Sequence, residues 1–422
     1  MPAFLSSRYP LLKWLAGLAV LVSPGAAGAD TLAPSESQDK LAARRYEFLP
    51  VPDIGGNSDV GVEFGVVFTL ARFYDDARPY KWLFGGTLGT SFKNDANGFR
   101  LVQHYHAFRL DVPNLFGGRV RLDTRAHFLR NIIARWEGTG NASTAEDAPG
   151  DADPLRNDEY IAQEVRLRSV ARVKTGTPFD AAFTTSLRYV FPSVYQNSKL
   201  AHDIANSNLP GTENAFLGSL GAGIFLDTRD DEFVPHEGVF YQVGVLGTAG
   251  TAERVGFGEA SAVLQSYIPL GPKMTFGSRL MASFLFGRVP FYELQSGSVF
   301  NPTHMVGGER GLRGIPEARY AGHIKVLANY ELRTDFIPRF RVLSWQLQIG
   351  TTTFFDVGRV WNDWDSSVSD GSTPGIKYSV GGGFYFQWDR SSVFRVEVAH
   401  SPTDHAPDEF PLAYYLANGL IF

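Results

Sequence analysis

The sequence contains no cysteine, and beyond Val22 it has no apolar run long enough to cross a membrane as a helix. The missing cysteines exclude disulfide bonds, and without thiolates a structural zinc site is not expected. A transmembrane helix would need roughly 18 consecutive apolar residues. A closed, hydrogen-bonded sheet is therefore the expected source of stability.

The N-terminus has the pattern of a secretory signal peptide. Arg8 and Lys13 precede an apolar run from Trp14 to Val22, and a small-residue Ala-Gly-Ala site ends before Asp30. A short buried helix is the alternative, but it explains neither the basic start nor the small residues at the end. We therefore predict a cleaved signal peptide over residues 1–29 and an exported protein.

Basic residues are in deficit. Without Arg8 and Lys13, 37 basic residues face 44 acidic ones, which gives a formal net charge of −7. This balance gives no reason to expect nucleic acid as a partner.

Aromatic residues make up 14% of the chain, with 44 glycines, and many segments alternate with a period of two. From Ile376 to Trp388 one face is apolar and the other is polar or small, and the segments around Val326 and Val396 repeat this pattern. One such face suits lipid and the other suits water. A soluble sandwich could show the same alternation, but its repetition after a signal peptide favours a membrane barrel.

Fifteen segments read as strands: 60–73, 80–94, 98–112, 118–134, 159–174, 179–192, 216–227, 238–247, 257–268, 274–286, 323–336, 343–361, 376–389, 392–401 and 411–422. Single-chain bacterial barrels have even strand numbers. Arg45 to Ile54, closed by the turn signal Gly55-Gly56-Asn57, supplies a first strand. We predict an all-β transmembrane antiparallel β-barrel of about 16 strands over residues 44–422, with extracellular loops at 137–158 and 196–215.

A long glycine-punctuated loop lies in the stretch from Val289 to Arg333. It carries Gly307 and Gly308, then Leu312-Arg313-Gly314, and leads into an alternating strand that bears Glu331. Loops of this length are usually functional or disordered. An arginine among small residues can pass through a narrow space and anchor there with its planar guanidinium.

This order and spacing resemble the hallmark loop of the BamA/TamA superfamily (bacterial surface antigen family) of outer-membrane barrels. The resemblance implies that the loop folds into the barrel lumen and that its tip docks on acidic and aromatic residues of later strands. The tip here is Leu312-Arg313-Gly314-Ile315, so the Arg-Gly core is kept and the flanking aromatic residue is not.

The segment from Phe354 to Gly358 is similar to the F-x-D-x-G motif of the same family. Strand alternation turns Phe354, Asp356 and Glu331 inward, so two carboxylates are available to Arg313. We predict docking at Glu331, Phe354, Asp356 and Gly358. The alternative is that Asp356 only lines a wet lumen.

Two further features bear on the resemblance to this family: one agrees with its pattern and the other departs from it. The D-x-R-D…P-x-x-G segment from Asp227 to Gly238 resembles a family strand junction, to which we assign a structural role. Only 14 residues, 30–43, precede the barrel, and a domain needs roughly 50. We therefore predict a short periplasmic lead-in without the POTRA modules common in the family.

Catalytic motifs are missing: there is no G-x-S-x-G, H-E-x-x-H or G-x-x-x-x-G-K-S/T segment. We predict no enzyme activity, no cofactor and no metal site. His104 and His106 are expected to be polar residues that face the lumen. Asp147, Asp151 and Asp153 could hold calcium, but a solvated loop is favoured because the spacing of an EF-hand is absent.

The chain ends in an aromatic residue after alternating apolar ones, which resembles the insertion signal of outer-membrane barrels. We predict that Leu420 and Phe422 are recognised by the barrel assembly machinery; an ordinary edge strand is the alternative. Pro50 and Pro52 cannot donate backbone hydrogen bonds. They could weaken closure against the last strand, face the next strand, or belong to the lead-in, and the sequence leaves these three open.

The resemblance implies a barrel in the outer membrane of a Gram-negative cell that helps insert or translocate a protein or lipid substrate. Its partners would be outer-membrane lipids and an unfolded protein or lipid substrate, and its gate a weak seam between the first and last strands. The alternative is a passive pore or structural barrel derived from the same scaffold. The intact Arg-Gly loop with its acidic receptors favours the first, because a simple pore does not need it.

Overall fold

The computed structural model describes residues 46–74, 77–95, 98–143, 156–207, 209–251, 255–342, 345–364, 375–388, 392–404 and 412–422. The predicted signal peptide (1–29) and lead-in (30–43) lie outside these ranges. Asp147, Asp151 and Asp153 lie outside them too.

Sixteen long strands form one antiparallel sheet that closes on itself. Each strand pairs with its neighbours in the chain, and the first also pairs with the last. The predicted antiparallel barrel of about 16 strands is confirmed. The strands are β1 Tyr46–Asn57, β2 Gly61–Tyr74, β3 Ala77–Asp95, β4 Gly98–Leu115, β5 Val120–Arg135, β6 Glu159–Lys174, β7 Phe179–Val190, β8 Ala215–Asp227, β9 Gly238–Gly250, β10 Gly256–Gly271, β11 Met274–Arg288, β12 Ile324–Val342, β13 Trp345–Trp361, β14 Lys377–Trp388, β15 Ser392–His400 and β16 Ala413–Asn418.

Connections at the two ends of the barrel differ in length. At one end, the short-turn end, most strands are joined by two to four residues; at the other, the long-loop end, residues 136–158, 191–214, 289–323 and 362–376 form long connections. Outer-membrane barrels keep their short turns on the periplasmic side. Among the described residues, no helix is both long and apolar enough to cross a lipid bilayer.

Short elements lie within the long connections. The segment predicted as a loop at 196–215 contains a helix, α1 (Lys199–Ser207). Its Leu200 is buried, and its Asp203 accepts a hydrogen bond from the indole of Trp136 at 2.9 Å. The helix has only nine residues, too few to be stable by propensity alone, so packing on Trp136 and its neighbours stabilises it. A single 3₁₀ turn, Phe291–Glu293, and two-residue strand segments at Ser193–Val194, Ser296–Gly297 and Thr303–His304 complete the set.

Strand alternation separates an outer apolar face from a polar lumen. On β14 the side chain of Val380 is 48% exposed, whereas its neighbour Ser379 is fully buried. The same rule holds on β15, where Val396 and Val398 face outward and Glu397 is buried inside. The faces predicted for these strands are confirmed.

The prediction for His104 and His106 is wrong. Both lie on the outward-facing register of β4. His106 is opposite Leu88, which is 43% exposed, and its ring stacks on Phe128 with centroids 6.1 Å apart. The error is one of register parity, since a shift of one residue moves every side chain of a strand to the other face.

The first strand is longer than predicted. Gly55, Gly56 and Asn57 belong to β1, and the turn lies at residues 58–60. The side-chain oxygen of Asn57 stabilises this turn by accepting hydrogen bonds from the backbone N–H groups of Asp59 and Val60 at 2.9 and 3.0 Å. An asparagine that bonds the backbone two and three residues ahead nucleates such a turn.

Pro50 and Pro52 lie within β1, in an unbroken twelve-pair ladder with β2, opposite Phe68 and Val66. Hydrogen-bonded and non-hydrogen-bonded pairs alternate in an antiparallel ladder, so a proline can keep the ladder only at a non-hydrogen-bonded position. The ring nitrogens therefore point away from β2, toward the side of β16. Of the three readings left open by the sequence, the structure supports the one in which both prolines face the closing strand.

The seam, meaning the junction of β1 with β16, is short. In the part of the chain that the structure describes, only Gly56 with Leu416 and Asn57 with Tyr415 pair in register, and Ser58 adds a backbone bond to the oxygen of Tyr414 at 3.2 Å. All of these contacts lie toward the long-loop end. At the level of Pro50, no described residue of β16 continues the ladder.

The C-terminus leaves the wall at Gly419. The predicted last strand, 411–422, is too long: β16 ends at Asn418, and Gly419 takes a positive φ of 81°. Ile421 and Phe422 then turn into the lumen, where Phe422 packs near Tyr267 with ring centroids 6.2 Å apart. A positive φ is cheap for glycine, which is why the chain can turn inward there.

Candidate functional site

The lumen loop, residues 289–323, connects β11 to β12 and folds back on itself near its middle. Leu312 donates its backbone N–H to Met305 at 3.0 Å, and Gly308 donates to Ile315 at 2.9 Å. Gly307 has a φ of 126°, and a Cβ atom there would lie 2.2 Å from the oxygen of Pro316. The glycine pair thus allows a compact turn that presents Arg313 at its tip.

Arg313 is fully buried and is held by Asp356 of β13. Its Nε and one terminal nitrogen donate to the two carboxylate oxygens at 2.8 and 2.9 Å, and its backbone N–H adds a third bond at 3.1 Å. This paired arrangement is the strongest that a guanidinium can form with a carboxylate. The structure therefore brings together the two residues that the motifs paired.

Two more carboxylates surround the same guanidinium. Its remaining nitrogen donates to Glu331 of β12 at 2.7 Å and to Glu397 of β15 at 3.2 Å. Burial alone would lower the pKa of Arg313, but the charges of Asp356, Glu397 and Glu331 outweigh it and hold the pKa above its ordinary value. Arg313 is thus a fixed cation.

The excess negative charge of this cluster is shared with two further arginines. Arg333 pairs with Glu331 at 2.8 Å, and Arg395 pairs with Glu397 at 2.6 Å. Arg395 also pairs with Glu309 at 2.8 Å, so three arginines face four carboxylates, and the fourth, Glu309, is the partly exposed one.

The sequence reasoning missed Glu397 as a partner of Arg313. Its signal was present, because alternation placed it inward on β15. What makes it reach Arg313 is the glycine run of β14: Glu397 lies opposite Gly383, and Thr352 of β13 reaches across that glycine to bond Glu397 at 3.1 Å. A glycine in the middle strand leaves space in which side chains of the two flanking strands can meet.

Phe354 forms the floor under Arg313. The guanidinium carbon is 3.4 Å from the centre of the ring, in cation–π geometry. The ring fits because Gly381 lies opposite: a Cβ atom on Gly381 would come within 2.3 Å of it.

Apolar contacts hold the two sides of the tip. Leu312 and Ile315 are fully buried in one cluster with Met305, Val306, Tyr320 and others. Gly358 lies beneath this cluster, and a Cβ atom there would meet Leu312 at 3.3 Å. Gly314 donates its N–H to the hydroxyl of Tyr415 at 2.8 Å. Tyr415 thus supplies an aromatic contact from β16, which the sequence analysis did not anticipate.

The loop is also tied to the C-terminus. Arg279 of β11 donates to the backbone oxygens of Arg310 at 2.7 Å and Ile421 at 3.1 Å, and Arg333 donates to the backbone oxygen of Phe422 at 2.6 Å. The loop tip, β12 and the inward-turned end of the chain therefore form one connected network.

The segment from Asp227 to Gly238 forms the junction of β8 with β9. Arg229 pairs with Asp227 through two bonds of 2.9 Å, and Asp230 accepts the backbone N–H groups of His236 and Glu237 at 2.9 and 3.1 Å. Gly238 has a φ of 104°. These contacts stabilise the turn, which supports the structural role.

Acidic and histidine side chains form no metal-binding group of three or more within the described residues.

Comparison with known proteins places this barrel in a family. The model of the Omp85 superfamily domain matches residues 108–397. The chain belongs to the Omp85 superfamily. This confirms the resemblance indicated by the loop and strand motifs. Omp85 barrels assemble or transport other molecules and are not enzymes, in agreement with the missing catalytic motifs.

Among solved structures, this Omp85 barrel is similar to BamA from Haemophilus ducreyi lacking POTRA domains 1-3, with 15% identity over 89% of this chain and 70% of that chain and a TM-score of 0.55. It is also similar to CdiB from Escherichia coli, with 13% identity over 89% of this chain and 62% of that chain and a TM-score of 0.52. At these identities the likeness shows the fold alone. No curated protein matches the sequence.

Proposed function

We propose that this Omp85 barrel resides in the outer membrane of a Gram-negative cell and helps insert or translocate a protein or lipid substrate through its seam. The observation that carries this proposal is the short seam. Two register pairs join β1 to β16, against twelve between β1 and β2. Each missing pair removes backbone hydrogen bonds, so opening the wall at the seam requires less free energy than opening it between β1 and β2.

The lumen loop supports the same proposal. Arg313 binds carboxylates of β12, β13 and β15, and Gly314 binds Tyr415 of β16. These strands form the wall on one side of the seam. The loop therefore holds that wall together, whereas among the described residues the tip forms no hydrogen bond with β1.

The loop also argues against the passive pore. It fills part of the lumen, and at the long-loop end Trp136, Phe291 and Leu200 lie in one buried apolar cluster. A pore for solutes would be expected to keep this space polar and open.

A locked seam tests the proposal. The chain has no native cysteine, so Ser58→Cys with Tyr414→Cys places one thiol pair across the seam, where the two residues are joined by a backbone bond. The matched control is Val66→Cys with Leu88→Cys, an outward-facing pair on β2 and β3. Both variants are crosslinked with a short bifunctional thiol reagent in cells that lack the native gene.

We expect the locked seam to abolish complementation, measured as the protein and lipid composition of the outer membrane, and the control pair to leave it intact. Full complementation by the crosslinked seam would rule out a gate. A deletion strain that loses only ion conductance, with unchanged outer-membrane composition, would instead favour the passive pore.

A further inference from the structure

A cavity of about 300 Å³ lies in the lumen, and arginine is the commonest residue in its lining. It extends from Arg121 and Arg229, close to the short-turn end, to Ser298 and Asn301 of the lumen loop. Its volume is at the lower limit of known small-molecule sites. It is separate from the cluster around Arg313, which does not line it.

Ion pairs account for most but not all of the arginines that line the cavity. Seven arginines line it, and five of them form ion pairs with a set of five carboxylates. Arg172, for example, pairs with Asp180 at 3.0 Å. Among the described residues, Arg168 and Arg279 have no carboxylate within ion-pair distance. Two arginines of the lining therefore form no ion pair with a described residue.

Arg168 projects from β6, and one of its terminal nitrogens donates a hydrogen bond to the backbone oxygen of Val299 in the lumen loop. Its Nε is buried and has no hydrogen-bond partner. A buried donor without a partner is costly, and a charged one more so. An oxyanion in the cavity would satisfy it.

Arg279 projects from β11 and is only 5% exposed. All of its hydrogen bonds go to neutral oxygens, those of Asn329, Arg310 and Ile421. A buried cation that meets only neutral acceptors is stabilised by a nearby anion. Arg168 and Arg279 line the same cavity, so a single anion could serve both.

We propose that this cavity binds a phosphate-type oxyanion between Arg168 and Arg279. Guanidinium groups match phosphate geometry with paired bonds, and they are the usual choice for phosphate recognition. Gln242 and Asn301 add polar groups to the lining. The anion could be a soluble phosphate-bearing molecule or a lipid headgroup. This inference is independent of the seam and goes beyond the proposed function.

Binding of inorganic pyrophosphate tests the proposal. The full-length barrel is purified in a non-ionic detergent, and the affinity for pyrophosphate is measured by calorimetry. The test variant is Arg168→Gln. The matched control is Arg130→Gln, which makes the same charge change at a residue opposite His104 on the outer face of β5.

We expect saturable binding by the unmodified barrel, a loss of affinity of about tenfold or more in Arg168→Gln, and no change in Arg130→Gln. Heat-modifiable migration on gels checks that each variant is folded. No saturable binding by the unmodified barrel would overturn the proposal, and so would equal affinity in a folded Arg168→Gln variant.

Titrations in lipid distinguish the two possible sources of the anion, a lipid headgroup and a soluble phosphate. The same titration is run in nanodiscs of zwitterionic lipid, with and without phosphatidylglycerol. Competition by phosphatidylglycerol assigns the site to a lipid headgroup, and binding that is indifferent to it assigns the site to a soluble phosphate. Both results support the cavity as an anion site.

Discussion

The guanidinium carbon of Arg313 lies 3.4 Å from the ring centre of Phe354, so the cation is covered on one face by an aromatic ring while carboxylates hold its edge. Each of the three guanidinium nitrogens donates to at least one carboxylate. Such a group is expensive to disturb, because each partner that loses it becomes an unpaired buried charge.

Arg313→Ala is expected to destabilise the barrel by roughly 3–5 kcal/mol, because three buried carboxylates would lose their shared cation. Lysine should rescue only part of the loss, since it lacks the planar fork. Thermal unfolding and protease sensitivity of the lumen loop measure both effects. The control is Arg310→Ala, an exposed arginine on the same loop. Unchanged stability in Arg313→Ala would show that the loop is not docked as described.

Gly381→Ala tests the space beneath the same ring. A Cβ atom at this position would lie 2.3 Å from both Phe354 and the oxygen of Val398. The ring of Phe354 must therefore move, and Arg313 loses its contact with the ring face. We expect a loss of about 1–3 kcal/mol, typical of overpacking. Gly247→Ala is the control, because a Cβ atom there meets nothing within 4 Å. Similar melting temperatures for the two variants would contradict the packing.

Deletion of Phe422 is expected to lower the yield of heat-modifiable barrel. The deletion removes the predicted insertion signal, and it also removes the oxygen that Arg333 contacts and the ring over which Arg279 lies. Phe422→Leu keeps an apolar end and the backbone oxygen, so it should fall between the deletion and the unmodified chain. Equal yields in all three would exclude a role for the terminal residue in assembly.

The ion pair of His304 with Glu317 should depend on pH. Burial acts to lower the pKa of His304, but the hydrogen bond that its ring donates to Glu317 at 3.0 Å, together with the charge of Glu317, raises the pKa above the ordinary value. The pair therefore stabilises the loop below pH 6.5 while Glu317 is ionised, and this contribution is lost as the pH rises through the folded-state pKa of His304. It is also lost in acid, as the pH falls through the pKa of Glu317, which burial raises but the hydrogen bond and charge of His304 bring below its ordinary value. Its size is below about 1 kcal/mol, because the side chains are 35% and 38% exposed.

An NMR titration of His304 checks this directly. In Glu317→Gln the partner charge is absent while burial remains, so the pKa of His304 should fall. A pKa unaltered by Glu317→Gln would mean that the two side chains do not interact in solution.

Much of the barrel follows from the sequence because alternation is a local property. It gives the inward position of Asp356 and Glu331 without knowledge of any partner strand. Glu397 and Tyr415 were missed as contacts of the loop tip because their approach depends on register across several strands and, for Glu397, on the glycines of the neighbouring strand β14. The predicted face was wrong at His106, whose ring was taken as polar although its cross-strand neighbours, Leu88 and Phe128, are apolar.

The path of the last four residues could not be read either. Apolar alternation before Phe422 predicts a strand, and only the contacts of Phe422 with Tyr267 and Arg333 inside the barrel explain why the chain turns inward at Gly419. Tertiary contacts here override a local pattern.

The two prolines of β1 have a consequence for what can dock at the seam. An uncovered strand edge normally invites strands from other chains, because its backbone groups are free to pair. Pro50 and Pro52 present no N–H on that edge, so an incoming strand would find acceptors but few donors there. The seam can therefore stay partly unpaired without forming a sheet with a neighbouring barrel. A molecule that enters the seam would pass the edge of β1 instead of adding a strand to the sheet.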